Sequence, residues 1–319
     1  MLQNQRYIFD SALDLCSIYR PHVMAHFSMK GITNIFCLIA CITFQACGQE
    51  SSSKIDKSNV ENETQATLNP NGNNLESRIL PPSGFSRIKV EPGSFSSYLR
   101  NLPLLPNGSI VKLYNGKEKG NNWVYCAVIN LPIGDKDLHQ CADAIIRLRA
   151  EYFYSQGQYD KIHFDLTNGF RVDYSEWIKG KRVVVNGNQT YWKQTTALSN
   201  TYKDFWSYLE FVFTYAGTLS LSKELKTITI DQLEIGDIFI KCGSPGHAAL
   251  VVDIAVDSTT RKKIFLLAQS YMPAQEIQIL ADPYNKLIDP WYSTDFGQHL
   301  GTPEWTFSNE EIKRFKNAP

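Results

Sequence analysis

Three residues of this chain have the types and the order that nucleophilic attack on a carbonyl requires: Cys141, His247 and Gln269. A thiol needs a base to take its proton, and the base works best when a third group fixes its ring. Cys141 falls at the start of a strong helical pattern, where unpaired backbone N–H groups and the helix dipole favour a thiolate. His247 stands where the turn Gly243-Ser244-Pro245-Gly246 hands over to an apolar run, so a rigid strand can present it to a cleft. Gln269 closes a run in which Phe265, Leu267 and Gln269 alternate onto one face, and its carbonyl can accept from an imidazole N–H. Asp253 is the alternative orienting group, but in an extended strand it lies about 20 Å from His247, out of contact. The same residues also admit a bland reading. Cys141 shares a helix face with Leu138, Ile145 and Leu148, as an inert core thiol would, and a histidine beside glycine can be purely structural.

The elements that must position these residues are legible nearby. Ile238 to Ile240 and Ala248 to Val252 are short apolar runs separated by turn residues, the pattern of buried neighbouring strands. Further strands are expected at Lys263–Gln269 and Glu276–Leu280. The strongest helix runs from Asp137, read as N-cap with Gln140 completing a capping box, to Gly157 as terminator. Leu138, Cys141, Ile145, Leu148 and Tyr152 share one face of it; Arg147, Arg149 and Glu151 lie elsewhere and are read as a buried salt-bridge set. A short helix capped by Ser94 and a second long helix over Tyr202–Tyr215 complete the helical content. Strands are read at Phe85–Ile88, Val111–Tyr114 and Trp123–Ile129. Residues 161–194 look β-rich, with Asn168-Gly169 as a hairpin turn and Trp177 in strand or loop. The aromatic, Pro/Gly-broken tail is expected to pack as an ordered loop. Core packing is the expectation for most of Trp123, Trp177, Trp291 and Trp305.

Composition bounds the function classes. The 319 residues carry 32 basic and 32 acidic side chains, so no basic excess points to nucleic acid. Of seven cysteines only Cys126, Cys141 and Cys242 lie in the body, and three cannot all pair, which excludes a disulfide scaffold. Cys242 lies close to His247, but no Cys/His pair has zinc-like spacing, so neither a metal nor a cofactor is expected.

The N-terminus reads as an address. Residues 30–47 are a lysine, an apolar run shorter than the roughly 20 residues a membrane span needs, then small residues and Cys47: the layout of a secretory signal. The end of this run, Ala46-Cys47-Gly48, resembles a bacterial lipoprotein signal, which implies lipidation at Cys47; Leu38-Ile39-Ala40-Cys41 is the alternative site. Met29 is a natural start for that signal, which makes residues 1–28 an upstream extension. Residues 48–81, rich in Ser, Asn, Glu and Gly, are expected to be a disordered tether, and residues 82–319 a single α+β domain with 161–194 as a β-rich insertion.

The order helix-start Cys, strand His, polar residue on the next strand resembles the NlpC/P60-like branch of papain-fold peptidases. Ile235-Gly236-Asp237-Ile238-Phe239-Ile240 and Gly246-His247-Ala248-Ala249-Leu250-Val251-Val252 are similar to that family's two strand motifs. The resemblance implies a papain-like fold, with a Cys-bearing helix packed on an antiparallel sheet, and cleavage of amide bonds in cell-wall peptides. Gln140 takes the place of the family's aspartate before the cysteine, and the long interval from Cys141 to His247 implies the insertion. The segments QCADAIIRLRAEY, YAGTLSL, GSPGHAALVVD, AQSYMPAQ and TPEW together resemble the domain of unknown function 4846, found in predicted bacterial lipoproteins, over about residues 82–315. The expectation is a monomeric, lipid-anchored envelope hydrolase of the thiol protease type. Cys141 would be nucleophile, His247 base and acid, Gln269 the orienting group, and a cell-wall peptide the substrate. The alternatives are a non-catalytic lipoprotein that binds a glycan or peptide in the same cleft, and a transglutaminase-like acyl transferase.

Overall fold

The computed structural model describes residues 68–187 and 189–317. The signal, Cys47 and the tether as far as residue 67 lie outside the described residues. In chain order the strands are β1 (Phe85–Arg87), β2 (Tyr125–Val128), β3 (His163–Asp165), β4 (Arg171–Asp173), β5 (Lys181–Asn186), β6 (Gln189–Gln194), β7 (Leu225–Thr227), β8 (Ile238–Lys241), β9 (His247–Asp257), β10 (Lys263–Gln269), β11 (Gln278–Leu280), β12 (Tyr292–Ser293), β13 (His299–Gly301), β14 (Thr306–Ser308) and β15 (Ile312–Phe315). Nine of them build one sheet in the order β2-β11-β10-β9-β8-β15-β7, with β1 beside β9 and β12 beside β10. Its pairings are antiparallel.

The centre of the sheet explains its sequence. β9 is buried at every position from His247 to Ala255, so both of its faces are covered and the strand reads as a continuous apolar run rather than an alternation. The helices Phe95–Arg100 and Cys141–Ser155 pack against β9. On the face that carries Phe239, the Phe239 and Phe265 rings stack at 5.6 Å and the tail adds Phe296 and Phe307. Each buried phenyl contributes roughly 2 kcal/mol of apolar transfer.

Several expectations change. The tail is not a loop alone: β13 and β14 pair with each other, and β15 joins the main sheet beside β8. Of the expected strand Val111–Tyr114 only isolated bridges form, Lys112 to Glu118 and Leu113 to Gln275. The domain begins before residue 82. Asn74 Oδ1 accepts from Ser77 N at 2.8 Å to cap the helix Leu75–Arg78, whose Leu75, like Ile79 after it, has no exposed surface. The last part of the expected tether is therefore folded. The insertion holds the hairpins β3–β4 and β5–β6, but between them Tyr174–Ile178 is helical. Tyr174 and Trp177, three residues apart, face the helix Tyr202–Tyr215 together, each ring meeting Tyr208 at 5.1 and 5.6 Å. A further helix, Thr218–Glu224, precedes β7.

Candidate active site

His247 opens β9 and Gln269 closes β10. Leu250 faces Ala268 across that pair; one residue further along the register, Gln269 comes opposite Ala249, two residues from His247 on the same face. This diagonal is within reach of a long side chain. His247 Nε2 lies 2.8 Å from Gln269 Oε1, with the two residues 2% and 1% exposed. Gly246 fixes the entry to the strand: a Cβ there would stand 2.5 Å from Thr218 Oγ1 and 2.6 Å from the Gly243 carbonyl. Only glycine allows the turn to pack that closely before presenting the histidine. Tyr271, Trp305 and Phe307 surround the imidazole at ring distances of 5.0, 5.2 and 5.8 Å. Burial pushes the His247 pKa down to about 4, opposed by the Gln269 hydrogen bond and assisted by the Lys119 charge. Above that pH the ring is neutral and able to accept a proton.

Cys141 is the first residue of its helix, and Gln140 is the N-cap. Gln140 N donates to Asp143 Oδ2 at 3.0 Å, which closes the first turn. Asp137, the expected cap, does different work: its Oδ1 accepts from Gln140 Nε2 at 3.2 Å and from Ala274 N at 2.7 Å, tying the helix entrance to the segment after β10. Ser270 Oγ, donating to the His139 carbonyl at 2.9 Å, pins the same junction. Cys141 is half-buried and carries a thiol rather than a disulfide. Burial raises the Tyr271 pKa, and the charges of Glu304 and Cys141 raise it further. The Tyr271 ring packs on His247, so a residue that feels the charge of Cys141 also lines the imidazole. The helix is buried from Ala142 to Ala150, not along a single stripe, because β9 and β10 and the helices Phe95–Arg100 and Thr218–Glu224 pack around it.

Sequence reasoning missed two further members. Gln269 Nε2 donates to Glu304 Oε2 at 2.7 Å, and Lys119 Nζ donates to the same oxygen at 2.7 Å. The Lys119 and Glu304 side chains are only 7% and 12% exposed. Burial lowers the Lys119 pKa against the opposing pull of Glu304. The one signal was the position of Glu304 inside the TPEW segment, next to the Trp305 that packs on His247.

Other candidates are placed elsewhere. Asp253 is fully buried and paired with Arg87 at 2.5 Å and Arg100 at 2.8 Å, far from the imidazole. Asp237 of the Gly-Asp motif holds Arg314 at 2.6 and 2.8 Å, stitching the start of β8 to β15. The arginine set is only partly a salt-bridge set. Arg147 meets Glu151 at 3.4 Å and stacks on Trp206, whereas Arg149 lies between the Phe153 and Phe315 rings and donates to the Asn317 carbonyl. Burial pushes the Cys126 thiol far above its ordinary range, so it is inert. Trp177 and Trp291 are core residues, while Trp123 is 61% exposed. A cleft lined by Arg149, Glu234 and Arg314 shares no residue with the His247 site. Among the described residues no cluster of three or more His, Cys, Asp or Glu side chains is arranged to hold a metal ion, and no helix is long and apolar enough to cross a membrane.

The fold is thus mixed α+β built on antiparallel sheets, with a buried histidine–glutamine pair at the sheet's end and, hydrogen-bonded to the segment that follows it, the entrance of a helix that begins with cysteine. Over residues 75–314 the chain matches the family described as "Domain of unknown function (4846)", and it belongs to that family. The matched region begins with the helix Leu75–Arg78 and so agrees with the earlier start of the domain. Neither curated proteins nor solved structures yield a match.

Proposed function

We propose that the chain is a cysteine amidase or peptidase of papain-like, NlpC/P60-like type, acting on cell-wall peptides at the envelope and anchored through lipidated Cys47. The observation that carries this reading is the 2.8 Å contact from His247 Nε2 to Gln269 Oε1, one residue before the Ser270 whose hydroxyl donates to the His139 carbonyl at the entrance of the helix that Cys141 opens. The chemistry follows from the residue types. His247 accepts the Cys141 proton as the sulfur attacks the amide carbonyl carbon. The first-turn N–H groups of the helix stabilise the oxygen that takes up the charge. The tetrahedral adduct collapses to a thioester, the C–N bond breaks, and the amine leaves with the proton held by His247. Water, deprotonated by the same imidazole, then hydrolyses the thioester and restores the thiol.

The 2% exposure of His247 under Tyr271, Trp305 and Phe307 favours the second reading, a lipoprotein that binds a glycan or peptide without turnover. Incubation with stem peptides of peptidoglycan, followed by mass spectrometry, separates the two. A new amine terminus formed by the wild type and not by Cys141→Ser supports the enzyme. Binding of intact peptide with no cleavage supports the binder, and amine incorporation in place of hydrolysis supports an acyl transferase.

A further inference from the structure

A glutamine amide presents an oxygen and a nitrogen at nearly equal reach, so beside an imidazole it can face either way. The two orientations demand opposite things of the ring. With Oε1 toward His247, the Nε2 of the imidazole must carry the proton and Nδ1 keeps the lone pair that can accept one. With the amide reversed, Nε2 of the imidazole must be the bare acceptor and Nδ1 loses its basicity. Nothing in a His–Gln pair alone selects between these states.

We propose that Glu304, held by Lys119, makes this selection: it is a positioning residue that fixes the Gln269 amide and through it the tautomer of His247. Glu304 Oε2 accepts from Gln269 Nε2 at 2.7 Å and from Lys119 Nζ at 2.7 Å. A carboxylate paired with a lysine only accepts hydrogen bonds. Reversing the amide would set Gln269 Oε1 against Glu304 Oε2, two acceptors in contact inside a site whose charged side chains are 7% and 12% exposed. Low polarity strengthens both the attraction in one orientation and the repulsion in the other. The chain from lysine to carboxylate to amide to imidazole therefore has one self-consistent set of donors and acceptors, and in that set Nδ1 of His247 is the basic nitrogen. The Lys119 ammonium also lies 5.5 Å from the Tyr271 ring centroid, which holds the cation at the wall of the same site.

The catalytic meaning of this selection rests on the proposed thiol chemistry; the tautomer itself does not, and it can be read without substrate. The test is nitrogen-15 NMR of histidine-labelled protein at pH 7, with the His247 signals assigned by their loss in His247→Ala. The wild type is expected to show one neutral tautomer, with a proton-bearing Nε2 and a bare Nδ1. Lys119→Met with Glu304→Gln removes both charges with side chains of similar length, so no buried charge is left unpaired and the fold is retained. In that double variant, and separately in Glu304→Gln alone, a neutral amide faces Gln269 and both tautomers should appear, with Cys141 alkylation slowed several-fold. Lys119→Arg keeps the carboxylate paired and should keep the wild-type pattern. An Nδ1-protonated wild type overturns the proposal, and so does an unchanged tautomer in the double variant, even if alkylation slows. A tautomer that shifts as expected in a protein whose Cys141 is unreactive would leave the positioning role intact and remove the thiol chemistry instead.

Discussion

Acid should destabilise the fold at the cysteine end of the site, and His139 is the residue that makes this measurable. Its ring is 1% exposed and meets Phe213 edge-on at 5.7 Å. Burial, reinforced by the Arg147 charge, holds its pKa at about 3 instead of 6.5, against a small opposing pull from nearby backbone. In the unfolded chain the same ring protonates near its ordinary value, so between those limits the unfolded state binds more protons and stability falls as pH falls. At about 1.4 kcal/mol for each tenfold change in proton affinity, acidification from pH 6.5 to 4.5 costs roughly 2–3 kcal/mol at His139. His247, held at about 4, loses a similar amount over the same interval. The His139 carbonyl accepts from Ser270 Oγ, so the strain falls on the junction that aligns Cys141 with the end of β10. Urea unfolding of wild type and His139→Phe at steps from pH 7.5 to 4.5 is the assay. The phenyl ring can repeat the contact with Phe213 without titrating. The variant should lose roughly 2–3 kcal/mol less than wild type over that range, with the difference confined to pH below 6.5. Equal pH slopes for the two proteins would refute the buried, neutral His139.

Two further perturbations have defined signs. Burial pushes the Glu224 pKa up to about 7 from 4.5, against the Asp165 N–H that donates to it at 2.9 Å. A folded pKa above the unfolded one gives stability that is full below pH 4.5 and lost as pH rises through about 7. Glu224→Gln, which keeps the acceptor, should therefore raise stability at pH 8 by roughly 2–3 kcal/mol and change little at pH 4.5, read by the same unfolding curves. Asp253→Asn removes the charge that Arg87 and Arg100 share inside the protein. It should cost about 3–5 kcal/mol while leaving the alkylation rate of Cys141 in the folded protein unchanged; a loss of labelling with no loss of stability would place Asp253 in the chemistry instead.

What the sequence discloses, and what it hides, follows the range of the interactions. The strand Lys263–Gln269 and the helix Tyr202–Tyr215 have the boundaries their patterns imply, because alternation and helical spacing are local properties. The His247–Gln269 pair was legible from local marks as well: a turn that opens one apolar strand with His247, and an alternating run that ends the next strand on Gln269. Asp137 misleads because a capping box is a local motif, while its carboxylate is claimed by Ala274 N, 137 positions away. Glu304 and Lys119 meet across 185 positions and bear no periodic mark, so nothing local announces that they complete the site. The start of the domain is hidden by averaging. Asn74-Leu75-Glu76-Ser77 carries a cap, and Leu75 and Ile79 a buried face, inside a stretch whose overall composition is that of a tether. Trp177 shows the converse, a three-residue spacing to Tyr174 that marks a helix face amid strand-like neighbours.

The central claim is that His247 activates Cys141, and the rate of Cys141 alkylation by iodoacetamide against pH tests it most directly, in wild type and His247→Ala, with the half-buried Cys126 as internal reference. The account predicts labelling of Cys141 that is fast at neutral pH and falls only as the medium approaches the His247 pKa of about 4. In His247→Ala the rate at neutral pH should drop at least about tenfold and follow an ordinary thiol, rising toward pH 8.5. Slow labelling of the wild type, with the same pH profile after removal of the imidazole, would contradict the account and leave Cys141 a core thiol in a binding protein.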